Sequence, residues 1–159
     1  MENVNNSCCF TGHRTIPVSD RDTVALKLND TLVHLIEEKG VDTFIAGGAL
    51  GFDTTAALAV LSLKSIYPNI KLVLAIPCEN QTKGWSEKAA ALYQDIMKRA
   101  DKVIYTGREY TSGCMHVRNR FMVDNSEYCV AYKTRDSGGT AYTVRYAVQQ
   151  GKTVINIAE

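Results

Sequence analysis

The chain has 159 residues, of which 45% are hydrophobic and 22% are charged, as in an ordinary soluble globular protein. This length predicts a single domain over residues 1–159. The formal net charge of +1 excludes a protein-wide basic field for nucleic acid. No apolar run approaches the ~18 residues of a membrane span, and residues 1–6 lack the basic and apolar regions of a signal peptide.

Five cysteines, an odd number, are spread over the chain without a C-x-x-C pair. They are Cys8, Cys9, Cys78, Cys114 and Cys129. Three of them lie in apolar runs, where a reduced cysteine packs as a small hydrophobic residue. This usage predicts a cytoplasmic protein without disulfides. Paired ligand spacings of the kind that zinc requires are also missing, so no metal is expected.

Short apolar runs alternate with segments of helical periodicity along the whole chain. A strand is predicted at 7–11, followed by a helix whose apolar face covers residues 24–36 and which ends at Gly40. In chain order there follow a strand at 43–46, a helix at 54–63, a strand at 71–76, a helix at 85–100, a strand at 102–105, a helix at 116–124, a strand at 127–132, a helix at 140–150 and a strand at 153–157. Trp85 and Tyr93 fit the core-facing side of the helix at 85–100, so no ligand role is expected for them.

The alternation of strands and helices predicts an α/β fold with a doubly wound, mainly parallel sheet. The predicted strands are apolar at consecutive positions, as burial on both faces of a sheet requires. In such folds ligands bind at the carboxyl ends of the strands, near the point where the strand order reverses. The loops leaving those ends carry several cations, namely Arg14, Lys83, Arg108 and Arg135. A nearly neutral chain is therefore expected to have one basic edge.

Three glycine-bearing loops follow predicted strands, and two of them run directly into predicted helices. Glycine lets the backbone approach a ligand closely, and the N–H groups of a helix N-terminus favour anions. The loops therefore predict a site for a phosphate-bearing ligand. Their candidate binding residues are Gly12, Arg14, Gly47, Gly48, Gly51, Asp53, Ser137, Gly138, Gly139 and Thr140. The last four, which open a helix, are the strongest phosphate candidates.

The loop from Gly47 to Asp53 does not have the G-x-G-x-x-G spacing of a dinucleotide fingerprint. Gly47 and Gly48 are expected to allow positive φ, and Gly51 to permit close helix packing. Asp53 either complements the helix dipole or accepts hydrogen bonds from a ribose or base.

Two arginines, Arg118 and Arg120, stand two positions apart on a predicted helix and therefore point to different sides. One is expected to bind the ligand, and the other to pair with a carboxylate such as Asp124. His13 could act as an acid or base, because histidine titrates near neutrality, or be a polar loop residue.

The ordered set of motifs resembles the YpsA-like branch of the SLOG superfamily. These motifs are Cys9–Arg14, Gly47–Asp53, Arg118–Arg120 and Ser137–Thr140. The superfamily has a Rossmann-like fold and includes the DNA-uptake protein DprA and the LOG phosphoribohydrolases. The resemblance implies a site for a nucleotide or nucleotide-derived ligand.

The resemblance leaves three functions to weigh. LOG enzymes carry a P-G-G-x-G-T-x-x-E loop, but here Val144 and Arg145 stand where the glutamate would be. The leading interpretation is therefore binding or sensing of a nucleotide without conventional hydrolysis. The alternative is a nucleotide N-glycosidase that uses Asp53, Glu79 or Asp136 as its carboxylate. Single-stranded DNA binding as in DprA is less favoured at this net charge. The sequence leaves open whether the chain associates into homo-oligomers.

Overall fold

The computed structural model describes residues 4–159, which form one six-stranded sheet flanked by helices. The strands are β1 (Ser7–Gly12), β2 (Thr43–Ala46), β3 (Lys71–Ile76), β4 (Lys102–Tyr105), β5 (Tyr128–Tyr132) and β6 (Thr153–Asn156). They lie in the order β4-β3-β2-β1-β5-β6, and every neighbouring pair is parallel. The predicted α/β, Rossmann-like fold is confirmed.

Within the described residues, five α-helices connect the strands: α1 (Arg21–Lys39), α2 (Phe52–Leu63), α3 (Glu87–Arg99), α4 (Cys114–Asp124) and α5 (Gly139–Gln149). Local chemistry explains where they begin and end. Gly40 ends α1 in the left-handed conformation, with φ of 68°. The hydroxyl of Ser86 caps α3 by accepting a hydrogen bond from the Ala89 N–H at 3.1 Å.

Both faces of the sheet are buried. Phe44 and Ile45 are adjacent on β2, so their side chains point to opposite faces, and both are fully buried. Phe44 belongs to the larger core, which includes apolar residues of α1, α2 and α3. Ile45 belongs to a smaller core that contains residues of α4 and α5. This arrangement explains why the strands are apolar at consecutive positions.

The observed elements differ from the sequence predictions mainly at their ends. β1 continues to Gly12, β5 begins at Tyr128 and β6 ends at Asn156. α3 begins at Glu87, so Trp85 precedes this helix rather than belonging to it. The prediction about a signal peptide falls partly on residues 1–3, which lie outside the described residues. Within residues 4–159, none of the helices is both long enough and apolar enough to cross a membrane.

Candidate functional site

A cavity of about 300 Å³ lies where the order of the strands reverses. β1 has β2, β3 and β4 on one side and β5 and β6 on the other, so the reversal falls between β1 and β5. We call this space the switch-point cavity. It is lined by Phe10, Thr11, Gly12, His13, Arg14, Ala49, Asp53, Met115, Arg118, Asn119, Arg135, Gly139 and Thr140.

The cavity brings together residues from all three glycine loops and from α4. The predicted site residues among its lining are Gly12, Arg14, Asp53, Arg118, Gly139 and Thr140. The other predicted site residues do not line it: Gly47, Gly48, Gly51, Arg120, Ser137 and Gly138. The carboxyl ends of β1, β2 and β5 therefore meet at one edge of the sheet, as the loops predict.

Arg118 is buried at the base of this cavity, with 4% of its surface exposed. Its Nη1 donates to the carbonyl oxygens of Gly47 and of Ala75, the latter at 3.3 Å. Its Nε donates to Oδ1 of Asn119 at 2.9 Å. Burial lowers the pKa of the guanidinium, and the nearby carboxyl of Asp53 opposes that effect. Arg118 therefore ties α4 to the ends of β2 and β3 and brings positive charge into the cavity.

The glycines of the second loop make room for these groups. A Cβ on Gly47 would lie 2.6 Å from Nη1 of Arg118 and 2.7 Å from Oδ2 of Asp53. Gly47 is not among the glycines with positive φ, so the prediction of positive φ is wrong for this residue. It is right for Gly48, whose φ is 70°. Gly51, with φ of 79°, packs against the backbone of Arg14, so close that a Cβ would overlap it.

Asp53 presents a buried carboxyl to the switch-point cavity, with 8% of the residue exposed. Its Oδ2 accepts a hydrogen bond from the backbone N–H of Ala49 at 3.4 Å. Burial raises the pKa of this carboxyl, and the positive charges of Arg118 and Arg14 act in the opposite direction. The carboxylate of Asp53 can thus accept further hydrogen bonds, and it lines the same cavity as Arg14 and Arg118.

The N-terminus of α5 forms part of the cavity wall. Gly138 precedes the helix with φ of 91°, while Gly139 and Thr140 open it and line the cavity. Ser137, Gly138 and Gly139 are exposed, and a Cβ on Gly139 would meet nothing within 4 Å. The first turn of a helix has N–H groups without partners inside the helix. The exposed loop therefore leaves these donors open to an anion.

Asn119 is a site residue that the sequence reasoning missed. It accepts from Arg118, and its Nδ2 donates to Oγ1 of Thr143 at 3.1 Å. Oγ1 of Thr143 in turn donates to the carbonyl of Gly139 at 2.9 Å. This chain of hydrogen bonds connects the buried arginine to the N-terminus of α5. Its place between the two arginines in the sequence was the available signal.

His13 joins the loops that follow β1 and β5. Its Nε2 accepts a hydrogen bond from the backbone N–H of Thr134 at 2.9 Å, across a separation of 121 residues. Burial, followed by the charge of Arg135, lowers the pKa of His13. Since the bond uses the lone pair of Nε2, the neutral imidazole is the form that fits here. The hydrogen bond between Thr134 and His13 thus connects the loops after β1 and β5, a contact that the sequence did not predict.

Arg120 does not line the cavity, whereas Arg118 does. Its partner differs from the prediction, because Nη1 donates to the hydroxyl of Tyr142 at 3.0 Å. The carboxylate of Asp124 instead accepts from Tyr146 at 2.7 Å. Arg120 and Asp124 therefore each hydrogen-bond to a tyrosine of α5, where the sequence suggested an ion pair between the two.

The acidic residues proposed for hydrolysis separate in the structure. Asp53 lines the switch-point cavity, whereas Glu79 and Asp136 do not. The exposed carboxylate of Asp136 pairs with Lys133 at 2.8 Å. Among residues 4–159, no three His, Cys, Asp or Glu side chains are grouped so that they could hold a metal ion.

With fold and site described, the chain can be assigned to a family. The family model YpsA, described as the YspA SLOG family, matches residues 8–157. The chain belongs to this family, which confirms the assignment suggested by the motifs.

Two curated relatives are each 33% identical in sequence to this chain over the aligned residues. An uncharacterized SPbeta prophage-derived protein, YoqJ of Bacillus subtilis, is 33% identical over 143 residues, covering 80% of this chain and 84% of YoqJ. The UPF0398 protein BH1768 of Halalkalibacterium halodurans is 33% identical over 119 residues. That match covers 73% of this chain and 62% of BH1768, so the chain spans less than two thirds of that relative.

Solved structures of DNA processing protein A have a similar fold. The protein from Helicobacter pylori, described for its single-stranded DNA binding mode, matches with a TM-score of 0.66 and 15% identity. The match covers 96% of this chain and 65% of that one. The Streptococcus pneumoniae protein, DprA, matches with a TM-score of 0.66 and 18% identity over 93% of this chain and 48% of its own. At these identities the likeness concerns the fold alone.

Proposed function

We propose that this protein binds a nucleotide or nucleotide-derived phosphate ligand in the switch-point cavity. The observation that carries the proposal is the meeting of Arg14, Arg135 and the N-terminus of α5 around one small cavity. Helix N-terminal N–H groups and guanidinium forks are both suited to phosphate oxygens. The five unpaired cysteines support action in the reducing cytoplasm.

The arginines have different parts in this proposal. Both Arg14 and Arg135 are exposed and line the cavity, so their guanidinium groups can reach a phosphate. Arg118 already donates to Gly47, Ala75 and Asn119, so it contributes charge more than free donors. Asp53 would accept hydrogen bonds from the hydroxyl groups of a ribose, which offer donors that phosphate lacks.

Calorimetric titration of the protein with 5′-AMP, GMP, CMP and UMP tests the proposal. We expect saturable binding of at least one nucleotide and a loss of ~1.5–3 kcal/mol of binding free energy in Arg135→Ala and in Arg14→Ala. Arg99→Ala is the matched control, since Arg99 is an exposed cation at the end of α3 that pairs with Asp95. Affinity that is unchanged in both cavity variants would show that the anion site lies elsewhere.

Hydrolysis of an N-glycosidic bond is the second candidate function. The observation that favours it is the buried carboxyl of Asp53 in the wall of the cavity. A buried carboxyl whose pKa is raised can give or take a proton during the cleavage of a glycosidic bond. Release of free base from the same nucleotides, followed by chromatography, distinguishes an enzyme from a binding protein. Hydrolysis that disappears in Asp53→Asn while binding persists would establish the enzyme, and intact nucleotide after long incubation would exclude it for this panel.

A further inference from the structure

A second and larger cavity adjoins the first on the far side of Arg14. Its volume is about 760 Å³, and Arg14 and Met115 line both spaces. We call it the aromatic cavity, because Trp85 and Tyr110 line it. Lys83 and Gln81 also contribute to its wall. A ligand whose anionic end occupies the switch-point cavity could therefore extend past Arg14 into this space.

The two aromatic residues differ in how firmly they are held. Trp85 is half-buried and packs edge-on against Tyr93, with ring centroids 5.5 Å apart and planes at 85°. Packing therefore fixes the position of its indole just before α3. Tyr110 lies in the loop before α4 and is 65% exposed, one of the most exposed large hydrophobic side chains in residues 4–159. Exposed aromatic side chains beside a cationic groove are the groups on which nucleobases stack.

We propose that the aromatic cavity receives the base of the ligand whose phosphate occupies the switch-point cavity. This inference rests on the proposed function and assigns the second part of the same ligand. Arg14 lies between phosphate and base, where it neutralises the anion. Lys83 adds a second cation at the outer rim, in keeping with an anionic ligand. The ligand class is therefore a nucleoside phosphate rather than a sugar phosphate alone.

Trp85 provides a direct test because it is the only tryptophan in the chain. Titration with 5′-AMP is expected to quench its fluorescence, since a base entering the aromatic cavity would contact or adjoin the indole. Ribose 5-phosphate, which lacks the base, should bind about tenfold more weakly or worse and leave the fluorescence nearly unchanged. Equal affinity for the two compounds, with no change in Trp85 fluorescence, would overturn the inference.

Variants locate the base independently of fluorescence. Tyr110→Ala should weaken binding of 5′-AMP about tenfold and leave ribose 5-phosphate binding unchanged. Tyr105→Ala is the matched control, because Tyr105 is 47% exposed on the edge strand β4 and does not line the cavity. Arg135→Ala should weaken both compounds, since its effect is on the phosphate.

The outcomes separate this inference from the proposed function. Nucleotide binding that depends on Arg135 but not on Tyr110 overturns the inference and supports the proposed function. Failure of both 5′-AMP and ribose 5-phosphate to bind overturns both proposals for these ligands. Oligo(dT) that binds far more tightly than any mononucleotide, with an affinity that falls steeply with salt, also overturns the inference in favour of single-stranded DNA.

Discussion

The guanidinium of Arg118 donates a hydrogen bond to the carbonyl oxygen of Gly47, which is 71 residues away in the sequence. The bond places a buried cation from α4 under the loop that follows β2. Because Gly47 has no side chain, the guanidinium and the carboxyl of Asp53 can both approach its Cα. Two motifs that are far apart in the sequence therefore form one buried unit beneath the cavity.

Gly47→Ala is expected to lower the free energy of unfolding by ~1–3 kcal/mol, because the new Cβ overlaps Arg118 and Asp53. Urea denaturation followed by circular dichroism measures the change. Gly113→Ala is the control, since a Cβ at this position meets nothing within 4 Å and the residue has φ of −108°. Equal stability of Gly47→Ala and Gly113→Ala would contradict the close packing described here.

Arg118→Met should destabilise the protein by about 3 kcal/mol, because it removes the partner of two backbone carbonyls and leaves the buried Asp53 with only the weaker compensating charge of Arg14. Adding Asp53→Asn to this variant should recover part of the loss. A double-mutant cycle from denaturation curves gives the coupling energy. Strictly additive effects would show that the two side chains do not interact.

His13 should make stability depend on pH. Its pKa is lowered in the folded protein, so the unfolded chain binds a proton more readily. The free energy of unfolding should therefore fall as the pH drops from about 6.5, the ordinary value for histidine, toward the lower folded value. His13→Gln cannot titrate and should show a flatter profile between pH 7 and pH 5 in parallel denaturation series. Identical profiles would show that His13 titrates normally.

Two adjacent glycines at the start of α5, Gly138 and Gly139, differ in their backbone conformation. Gly138 has φ of 91°, so Gly138→Val should cost ~1–3 kcal/mol of stability. Gly139 is not among the residues with positive φ, and its Cβ would enter open space. Gly139→Val should therefore fold normally yet hinder approach of a phosphate. Thermal unfolding together with AMP titration checks both, and normal nucleotide affinity in Gly139→Val would make this loop a structural turn.

Much of the architecture could be predicted because it depends on local signals. Apolar runs locate the six strands to within a residue or so at each end, and Gly40 marks the end of α1. The position of the cavity follows from parallel strands, whose glycine loops must meet at one edge. The partners inside the cavity depend on tertiary contacts, as with the bond between His13 and Thr134. No local pattern could show that Arg118 is buried on backbone carbonyls.

The two neighbours of β1 also differ in when they become available during translation. β2 leaves the ribosome soon after β1, but β5 follows only after β3, β4 and the first four α-helices have been made. Until then one side of β1 is an unpaired strand edge, and the half of the cavity that includes Arg135 and Gly139 does not exist. A nascent chain can therefore bury much of the larger core early, whereas ligand binding must await the synthesis of β5 and the start of α5.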